Sequence, residues 1–588
     1  MIGGFYFDLA YNKLMSVPKL KELIEVALKE LNLEVPEFVL EHPTNLDHGD
    51  YSSNVALVLG KKLKKEPLSL AVEITQKLNE KKDIDVERVE VAGAGFINFY
   101  LSGKFFRERV AEILAAAKSG QNFGQNQTLK DRLILVEYTD PNPFKQFHIG
   151  HLMSNAVGES LSRIISFASA NIKRVCYQGD AGRHVALAIW GIRFMKEPFP
   201  AETAALSSRI KYLGQAYALG ASHAKDSPEN EKEINSINQK IYDRSDEEIN
   251  QFYDQGREWS LEYFEEIYKK LGTQFDQYFF ESVAAPRGKE IVTKFLKKGV
   301  FEESEGAVVL KEEKSGLHTR VFINSQGLPT YEAKELALAE MKHEVFPYDL
   351  SIVVTANEVN DYFKVLLKAL EFTNPKLAEK TKHISHGLLK LPTGKMSSRT
   401  GEVIAAEALL SEIENRAKEK MKDRGFNEEE QTKLASIIAV GAIKYSILKQ
   451  KIGKDIIFDI ENSLSFEGDS GPYLQYTHTR AESVLRKAKE EGMMAEATTE
   501  TPPPSTSLER YLYRFPEIVQ RALDEMEPHH LATYLIELAG EFNNFYAHSK
   551  IIDKEDKNSS YRLALTQSVS TVMKNGLYLL GIQVPEKM

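Results

Sequence analysis

Hydrophobic spacing divides the first part of the chain into a helix and a strand pair. Apolar residues recur at helical spacing from Leu20 to Leu31, and residues 89–101 (VEVAGAGFINFYL) have the pattern of two strands around a glycine turn. A polar stretch at 119–131, SGQNFGQNQTLKD, has the composition of a linker. We therefore predict an α+β module over residues 1–118.

A different pattern begins at residue 133. The continuous apolar run LILVEY (133–138) is typical of a strand buried in a parallel sheet, and a helix-compatible segment starts near Gly150. A second apolar strand, RVCYQ (174–178), leads into the turn GDAGR (179–183). This alternation predicts a doubly wound, Rossmann-like α/β core. Further strand signals follow at 307–310 (AVVL), 320–324 (RVFIN) and 351–356 (SIVVTA).

Two long segments have a helical rather than an α/β pattern. Residues 198–268 are charged and helical, which predicts a helical insertion within a domain that spans 119–400. Beyond residue 401 the pattern is almost wholly helical, interrupted by a Pro/Thr/Ser-rich loop at 497–507. The fold prediction is therefore an α/β multidomain protein with an N-terminal α+β module, a doubly wound core and an all-helical domain at 401–588.

Composition agrees with this picture and excludes several classes of protein. At 42% hydrophobic and 27% charged residues, the chain is too rich in core formers for disorder. Its 588 residues suggest three or four domains at roughly 100–200 residues each. The 75 basic and 85 acidic residues give a formal net charge of −10, which argues against an indiscriminate nucleic-acid coat but leaves a specific RNA ligand open.

Cysteine content and hydropathy give expectations about the cellular compartment. The single cysteine, Cys176, excludes an internal disulfide and a multi-cysteine zinc site. No apolar run approaches the ~18 residues that cross a bilayer, and the first 15 residues lack a basic region and a cleavage site. We therefore expect a cytoplasmic protein without a signal peptide or membrane attachment.

The segment PNPFKQFHIGHL, residues 141–152, follows the apolar strand directly. His148 and His151 are three residues apart and share one face of a first helical turn, while Gly150 leaves room for a flat base against the backbone. The helix N-terminus adds unpaired N–H groups and a positive dipole end, which favour phosphate. Two imidazoles there suit the charge that builds on an α-phosphate under attack. Alternatively, the histidines cap the helix or bind a metal ion.

A second polar segment, LPTGKMSSRTGEV at 391–403, has two serines, two cations and two glycines. Such a loop can close over a triphosphate and neutralise departing pyrophosphate. A P-loop is excluded, because six residues rather than four separate Gly387 from Gly394, and Met396 follows the lysine where Ser or Thr is needed. The alternative is an ordinary surface loop.

These two segments resemble the HIGH and KMSKS signatures of class I aminoacyl-tRNA synthetases, as His148-Ile149-Gly150-His151 and Lys395-Met396-Ser397-Ser398-Arg399. Within that class the sequence resembles the arginyl-tRNA synthetases over nearly its whole length. The stretches that carry this resemblance are HGDYSSNVAL (48–57), AGAGFINFYL (92–101), VEYTDPNP (136–143), GDAGR (179–183), LGTQFDQYFFES (271–282), LPTYEAKELAL (328–338), SFEGDSGPYLQYTHTR (465–480) and LLGIQVPEKM (579–588).

The resemblance implies a class I Rossmann catalytic domain, an N-terminal domain that touches the tRNA elbow, and a helical anticodon-binding domain. It implies that the protein activates L-arginine with ATP, accompanied by Mg²⁺, and transfers it to tRNA(Arg). It further implies a monomer without a metal site of its own. Two alternatives remain: a small-molecule adenylyltransferase that binds no RNA, and a non-catalytic synthetase paralogue that serves as an RNA-binding module.

The resemblance also implies an arginine pocket. Glu137, Asn142 and His148 align with residues that hold the amino-acid backbone, and Tyr331 and Glu335 align with the pair that contacts the guanidinium. Family members usually have aspartate where Glu335 stands, so the pocket must be recessed by one methylene at that point. The alternative for Glu335 is a solvated helix acid.

Two further positions depart from the family pattern. Asp140 stands where the family usually has serine, and it either adds an acid near the ammonium group or caps the turn. Glu358 and Tyr362 replace residues that the family often has as glutamine and histidine, and we assign them no role.

The nucleotide loop departs from the pattern as well, because Ser398 replaces the second lysine of KMSKS. Arginyl enzymes with this variant have a lysine just upstream of HIGH, where Lys145 stands. The resemblance thus implies Lys145 and Lys395 on the phosphates, with His148 and His151 completing the catalytic set. Alternatively, Lys145 is a solvated loop lysine. The implied ATP-binding residues are Gly150, Met396, Ser397, Ser398 and Arg399.

The segment GPYLQYTHTR, residues 471–480, combines aromatic and basic side chains in the helical domain. Tyr473 and Tyr476 lie beside His478 and Arg480, which suits stacking on splayed anticodon bases. The resemblance implies tRNA contacts from Tyr473, Tyr476 and the terminal Met588. The alternative is that one of the two tyrosines belongs to the core.

Overall fold

The computed structural model describes residues 16–81, 85–390, 405–422, 425–497 and 505–588. The N-terminal part is a four-stranded antiparallel sheet in the order β1-β2-β4-β3, covered by helices. Its elements are α1 (Ser16–Glu30), β1 (Leu40–Glu41), β2 (Tyr51–Ser53), α2 (Val55–Leu63), α3 (Pro67–Lys81), β3 (Val86–Ala92), β4 (Phe96–Leu101) and α4 (Gly103–Ser119).

The predicted helix and strand pair of this part are confirmed. Leu20, Ile24 and Leu28 recur at helical spacing on α1 and are fully or almost fully buried. Strands β3 and β4 pair antiparallel, and Gly93 and Gly95 between them have φ angles of +53° and +120°. Residues with side chains adopt such angles at a steric cost, which explains the glycines of this turn.

The central element is a five-stranded sheet in which every neighbouring pair is parallel. Its strands are β5 (Leu133–Glu137), β6 (Asn171–Gln178), β7 (Gln277–Phe280), β11 (Leu350–Ala356) and β12 (Thr381–His386), in the order β12-β11-β5-β6-β7. Numbered along the chain within the sheet, the order is 3-2-1-4-5, so the strand order reverses between β5 and β11. Ligands of such sheets bind outside the carboxyl ends of the strands at this point.

Helices connect the strands and cover both faces of the sheet. They are α5 (Ile149–Phe167), α6 (Arg183–Phe194), α10 (Glu281–Leu296), α11 (Tyr331–Val345), α12 (Asn360–Thr373) and α13 (Pro375–Glu379). Three more lie between β6 and β7, within and just beyond the predicted insertion: α7 (Leu206–His223), α8 (Pro228–Asp243) and α9 (Glu247–Leu271). The predicted doubly wound core is thereby confirmed.

The strand signals at 307–310 and 320–324 belong to a separate small sheet. Strand β9 (Ala307–Leu310) pairs antiparallel with β8 (Glu302–Ser304) on one side and with β10 (Arg320–Ile323) on the other. Of the three later strand signals, only the one at 351–356 contributes a strand, β11, to the parallel sheet.

The C-terminal part is helical as predicted. Its helices are α14 (Ala406–Lys420), α15 (Glu428–Leu448), α16 (Ile460–Ser463), α17 (Gly471–Glu490), α18 (Ser507–Leu512), α19 (Phe515–Glu525), α20 (His529–His548) and α21 (Ser559–Leu579). A short parallel pair, β13 (Leu389–Lys390) and β14 (Ile456–Ile457), joins this part to the core. Within the described ranges, no helix has the length and apolar character needed to cross a membrane.

Helix α15 fuses the helical part to the parallel sheet. Every residue from 438 to 448 is buried, because the helix packs against α5 of the core as well as α14 and α17. The Lys444 ammonium lies within this contact and donates to the carbonyls of Leu271 (2.7 Å) and Gly581 (2.9 Å). The sheet and the helical part therefore share one hydrophobic core.

Candidate active site

The turn after β5 is strained and tightly held. Thr139, Asp140 and Phe144 have φ angles of +81°, +45° and +68°, which cost of the order of 1–3 kcal/mol each for residues other than glycine. The Thr139 amide donates to Ser154 Oγ at 2.9 Å, and the Phe144 amide donates to Ser260 Oγ at 2.9 Å. Asp140 Oδ1 accepts from the Tyr177 amide at 2.7 Å, which is the turn-capping role considered for it. Strain of this kind is typical of functional sites.

His148 and His151 cap helix α5 reciprocally. His148 Nδ1 accepts from the amides of Gly150 (3.1 Å) and His151 (3.4 Å), and the His148 amide donates to His151 Nδ1 (3.2 Å). The two rings stack with centroids 3.5 Å apart. Because both Nδ1 atoms accept hydrogen bonds, each neutral ring carries its proton on Nε2. The two histidines therefore cap the helix, as the alternative proposed. Their Nε2–H groups remain as donors for a ligand.

Both histidines are neutral at physiological pH. Burial lowers the pKa of His148 to about 4, and the nearby Lys145 ammonium lowers it further in the same direction. Burial also lowers the pKa of His151, with His148 and Lys145 as additional causes. Gly150 has a steric role here, since a Cβ at this position would lie 2.9 Å from the His148 ring. The pair can therefore stabilise negative charge by donating hydrogen bonds.

Lys145 places a positive charge near the two histidines. Its ammonium lies 4.8 Å from the ring centroid of Tyr217, on α7 of the helical insertion. Among the described residues it forms no ion pair. Lys395, Met396, Ser397, Ser398 and Arg399 lie outside the described residues, but the chain returns beside the histidines: Ala405 bridges to His148, and the Ala406 amide donates to the Phe147 carbonyl at 2.9 Å.

Two buried ion pairs lie near the start of α5, close enough for the Lys145 ammonium to act on Glu281, and we call the side chains around them the pocket. Glu137, at the carboxyl end of β5, accepts from Lys342 at 2.7 Å, and Glu281, at the start of α10, accepts from Lys334 at 2.7 Å. All four side chains are at most 5% exposed. Sequence reasoning found Glu137 but missed the other three members, Glu281, Lys334 and Lys342. Glu281 and Lys334 stand within the stretches 271–282 and 328–338 that carry the family resemblance, but nothing in the sequence indicates that they form a buried pair.

Glu335 adds an acid to this pocket without a cation of its own. It lies on α11, four residues after Tyr331, and among the described residues it forms no ion pair. Burial raises its pKa well above the ordinary value, and the Glu137 carboxylate raises it further. Burial and then Glu137 likewise raise the pKa of Asp140. Glu335 is half-buried, and the pocket holds more carboxyl groups than ammonium groups.

The remaining predicted pocket residues lie at the rim. Asn142 packs against the backbone of Gly179, where a Cβ would clash with its Oδ1. Tyr331 is 55% exposed at the first position of α11, with the Lys334 ammonium 5.1 Å from its ring centroid. The described residues contain no group of three His, Cys, Asp or Glu side chains arranged to hold a metal ion.

Asp180 fixes the turn after β6 to two helices. Its buried carboxylate accepts from Arg257 Nε at 2.8 Å and Tyr253 OH at 3.2 Å, both on α9. It also accepts from the Ser282 amide and hydroxyl on α10, each at 2.8 Å. This contact explains the aspartate of the GDAGR turn, for which sequence reasoning offered no role.

A second candidate surface lies on α17 and α20. The Arg480 guanidinium lies between the rings of Tyr476 (4.7 Å) and Tyr546 (4.9 Å), and Asn543 Nδ2 donates to Tyr473 OH at 2.9 Å. Tyr473 and Tyr476 are both half-buried, and Tyr473 also packs against the large core. His478 differs from the expectation, since it is 6% exposed and belongs to the interior.

The chain end completes that region. Met588 is half-buried and packs against the large core that the helices share. Its side chain is therefore available only in part at the surface.

Three family models match the chain. A model described as tRNA synthetases class I (R), catalytic domain, matches residues 109–460. A DALR anticodon binding domain matches residues 474–588, and an arginyl tRNA synthetase N terminal domain matches residues 18–101.

Named relatives and solved structures match over almost the full length. The chain is 31% identical to an arginine–tRNA ligase of Clostridium perfringens and 32% identical to one of Streptococcus thermophilus, each match covering 97% of this chain and 100% of the relative. The arginyl-tRNA synthetase of Thermus thermophilus superposes with a TM-score of 0.77 at 25% identity, covering 98% of this chain and 100% of that one. The arginyl-tRNA synthetase of Plasmodium falciparum has the same fold, with a TM-score of 0.77 at 22% identity and the same coverage.

Proposed function

The chain belongs to the arginyl-tRNA synthetase family, and from that premise we propose how its residues join L-arginine to tRNA(Arg). The enzyme activates L-arginine with ATP to arginyl-adenylate and transfers the arginyl group to the tRNA. The single observation that carries the site assignment is the adjacency of two features. A pocket with surplus carboxyl groups lies next to a helix N-terminus that presents two neutral imidazoles.

The surplus of acid suits a cationic amino acid. Lys342 and Lys334 balance Glu137 and Glu281, which leaves Glu335 to receive a further cation. A guanidinium presents five N–H donors in a plane and pairs with carboxylates in a bidentate manner. We propose that Glu335 and Tyr331 contact the guanidinium, and that Glu137, Asn142 and His148 hold the amino and carboxyl groups of arginine.

The residues at the start of α5 fit the triphosphate of ATP. The Nε2–H groups of His148 and His151 can donate to oxygens of the α-phosphate, and the dipole of α5 favours negative charge at this end. Lys145 adds a cation that no described carboxylate neutralises. We propose that Lys145 and Lys395 bind the outer phosphates, and that Gly150 and residues 396–399 complete the ATP site.

No protein nucleophile is needed for activation. The arginine carboxylate attacks the α-phosphorus in line, the bond from that phosphorus to the bridging oxygen breaks, and pyrophosphate leaves. Charge builds on the α-phosphate oxygens, where fixed N–H donors act without reorganisation. The terminal ribose hydroxyl of tRNA then attacks the arginyl carbonyl and releases AMP. Catalysis consists of positioning and charge stabilisation.

The second surface suits the anticodon. Tyr476 and Tyr546 flank Arg480, and aromatic rings with a guanidinium between them can stack on splayed bases. We propose Tyr473, Tyr476 and Met588 as tRNA contacts on the matched anticodon-binding region.

Several finer assignments complete the proposal. The N-terminal domain spans 1–118 and touches the tRNA elbow, the catalytic domain spans 119–400 with its insertion at about 198–268, and the anticodon-binding domain spans 401–588. Mg²⁺ enters with ATP and is held mainly by phosphate oxygens and water. The protein acts as a monomer in the cytoplasm.

Aminoacylation of total tRNA, with the twenty amino acids compared separately, tests this function. We expect arginine-dependent charging alone, and pyrophosphate exchange that requires tRNA. Tight tRNA binding without charging by any amino acid would instead indicate a non-catalytic RNA-binding paralogue. Adenylate formation without tRNA binding would indicate a small-molecule adenylyltransferase.

A further inference from the structure

Tyr177 is a buried tyrosine whose hydroxyl has no hydrogen-bond partner among the described residues. The side chain is 7% exposed, and its hydroxyl oxygen is closed to solvent. A buried polar group without a partner costs about 1–3 kcal/mol, and native proteins contain few of them. Other buried side-chain atoms of the described residues also lack a hydrogen-bond partner, so the Tyr177 hydroxyl is of interest because of where it lies.

The position of Tyr177 connects it to the arginine pocket. It is the penultimate residue of β6, and its amide is already bound to Asp140 on the strained turn. Its ring packs on the face of the sheet that α11 covers, in one cluster with Ala333 and Leu336. Lys334 and Glu335 are the neighbours of these two residues along α11. Tyr177 thus contacts the strained turn through its amide and belongs to the cluster that α11 covers through its ring.

The electrostatic surroundings of the hydroxyl agree with this location. Burial raises the pKa of Tyr177, and the carboxyl groups of Glu281 and Glu335 are the next causes. The hydroxyl therefore stays protonated at physiological pH and lies within the field of both acids. A protonated hydroxyl can donate to a carboxylate and accept a hydrogen bond at the same time.

We propose that the Tyr177 hydroxyl is a further specificity contact, which accepts one N–H of the substrate guanidinium while donating to a pocket carboxylate. This inference rests on the proposed function, since it requires arginine in the pocket. A guanidinium has more N–H donors than Glu335 alone can accept, so an additional acceptor among the acids improves the match. The hydroxyl gains its partner only when the substrate binds.

The substitution Tyr177→Phe tests the proposal, because it removes one oxygen that makes no bond in the free protein. Hydrogen bonds to charged groups contribute about 1.5–3 kcal/mol, so we expect the KM for arginine to rise about 10- to 100-fold. The KM for ATP and the kcat at saturating arginine should change little. The thermal unfolding midpoint without arginine should be equal to or above that of the parent chain.

Tyr534→Phe is the matched control. Tyr534 is 3% exposed in the helical part, and its hydroxyl donates to the Tyr511 carbonyl at 3.1 Å. This change should lower the unfolding midpoint and leave the KM for arginine unaltered.

Two results for Tyr177→Phe would overturn the inference. An unchanged KM for arginine would show that the hydroxyl makes no contact with the substrate. A clear fall of the unfolding midpoint would show that the hydroxyl has a structural partner within the protein. Failure of the parent chain to charge tRNA with arginine would instead refute the proposed function, so the two failures are distinguishable.

Discussion

Burial sets the protonation state of individual side chains in this site. The two histidines are held neutral with their protons on Nε2, because burial lowers their pKa values and their Nδ1 atoms cap α5. Compared with a neutral imidazole, a protonated one would bind phosphate more strongly in the ground state as well as in the transition state. A neutral donor at a fixed position instead favours the transition state, where charge on the α-phosphate is greatest.

Replacing either histidine should therefore impair activation. We expect His148→Ala or His151→Ala to lower the rate of tRNA-dependent pyrophosphate exchange by roughly 10²–10³, the scale of one lost transition-state donor. Binding of tRNA should change little. Because the pKa of His148 is about 4, its contribution should stay constant between pH 6 and pH 8.

The control for this prediction is His223→Ala, at an exposed site on α7 where the histidine contacts Asp226. It should leave the exchange rate unaltered. Unaltered rates in both pocket variants would remove the histidines from the mechanism.

Glu335 shows the opposite effect of burial, on an acid. Burial and then the Glu137 carboxylate raise the pKa of Glu335, so its ionised form is less favourable than that of an exposed acid until a cation binds beside it. Glu335→Gln keeps the shape but not the charge. A buried cation without its partner costs about 3–5 kcal/mol, so the KM for arginine should rise at least 100-fold. Glu340 lies on the same helix as Glu335 and pairs with Arg287 of α10, and Glu340→Gln should leave the KM for arginine unaltered.

The raised pKa of Glu335 predicts two effects of pH with opposite signs, one on the stability of the free protein and one on the affinity for arginine. The protonated form stabilises the free protein, so this stabilisation is complete below the ordinary pKa of a carboxyl group and is lost as pH rises through the raised value. Thermal unfolding of Glu335→Gln should lack that loss. Arginine affinity of the parent chain should increase over the same pH window, and a flat affinity profile would contradict the role of Glu335.

At the scale of elements, the sequence predicted those whose pattern is uniform. The apolar run of β5 and the helical spacing of α1 follow directly from local sequence. Strands β7 and β12 were missed because QYFF is very short and TKHISH is largely polar. Their strand state depends on parallel pairing with β6 and β11, which no local pattern contains.

The residues of the candidate site also divide into those that the sequence could predict and those that it could not. Residues of the HIGH segment were predictable because a motif marks them, and the structure adds their mutual capping. Lys334 and Lys342 were not predictable, since they become buried only when α11 packs on the sheet and brings them to Glu281 and Glu137. Burial of a charge pair is a property of tertiary structure.

In the proposed mechanism, the turn before α5 and the segment 391–404 act together on the triphosphate of ATP. In that proposal, departure of pyrophosphate needs a cation opposite Lys395. Ser398 carries no charge, and Lys145 stands three residues before His148. We expect Lys145→Ala to be severely defective in pyrophosphate exchange. Adding Ser398→Lys should recover part of the loss, with a coupling of roughly 0.5–3 kcal/mol in a double-mutant cycle.

Lys211→Ala, an exposed lysine on α7, is the control for the first change and should retain full exchange activity. Strict additivity of the two changes would count against compensation. Full activity of Lys145→Ala alone would end the idea.

At the scale of the whole molecule, the N-terminal sheet is attached to the helical part through buried polar contacts. Arg510 on α18 donates to Asp50 Oδ1 at 2.6 Å and to the Leu46 carbonyl at 2.8 Å. Tyr513, just beyond α18, is 4% exposed and packs within the N-terminal core, with its ring centroid 5.4 Å from that of Phe105. The two regions matched to the N-terminal and anticodon-binding models are thus in direct contact.

Breaking this contact should affect tRNA rather than arginine. Arg510→Met keeps the apolar stem but leaves Asp50 buried without its cation, at a cost of about 3–5 kcal/mol. Amides of β2 and β4 should then exchange hydrogen faster, and the KM for tRNA should rise while the KM for arginine stays constant. Arg521→Ala removes an exposed pair with Glu525 worth about 0.2–1 kcal/mol and should change none of these quantities. Equal behaviour of the two variants would show that Arg510 does not hold the N-terminal sheet against the helical part.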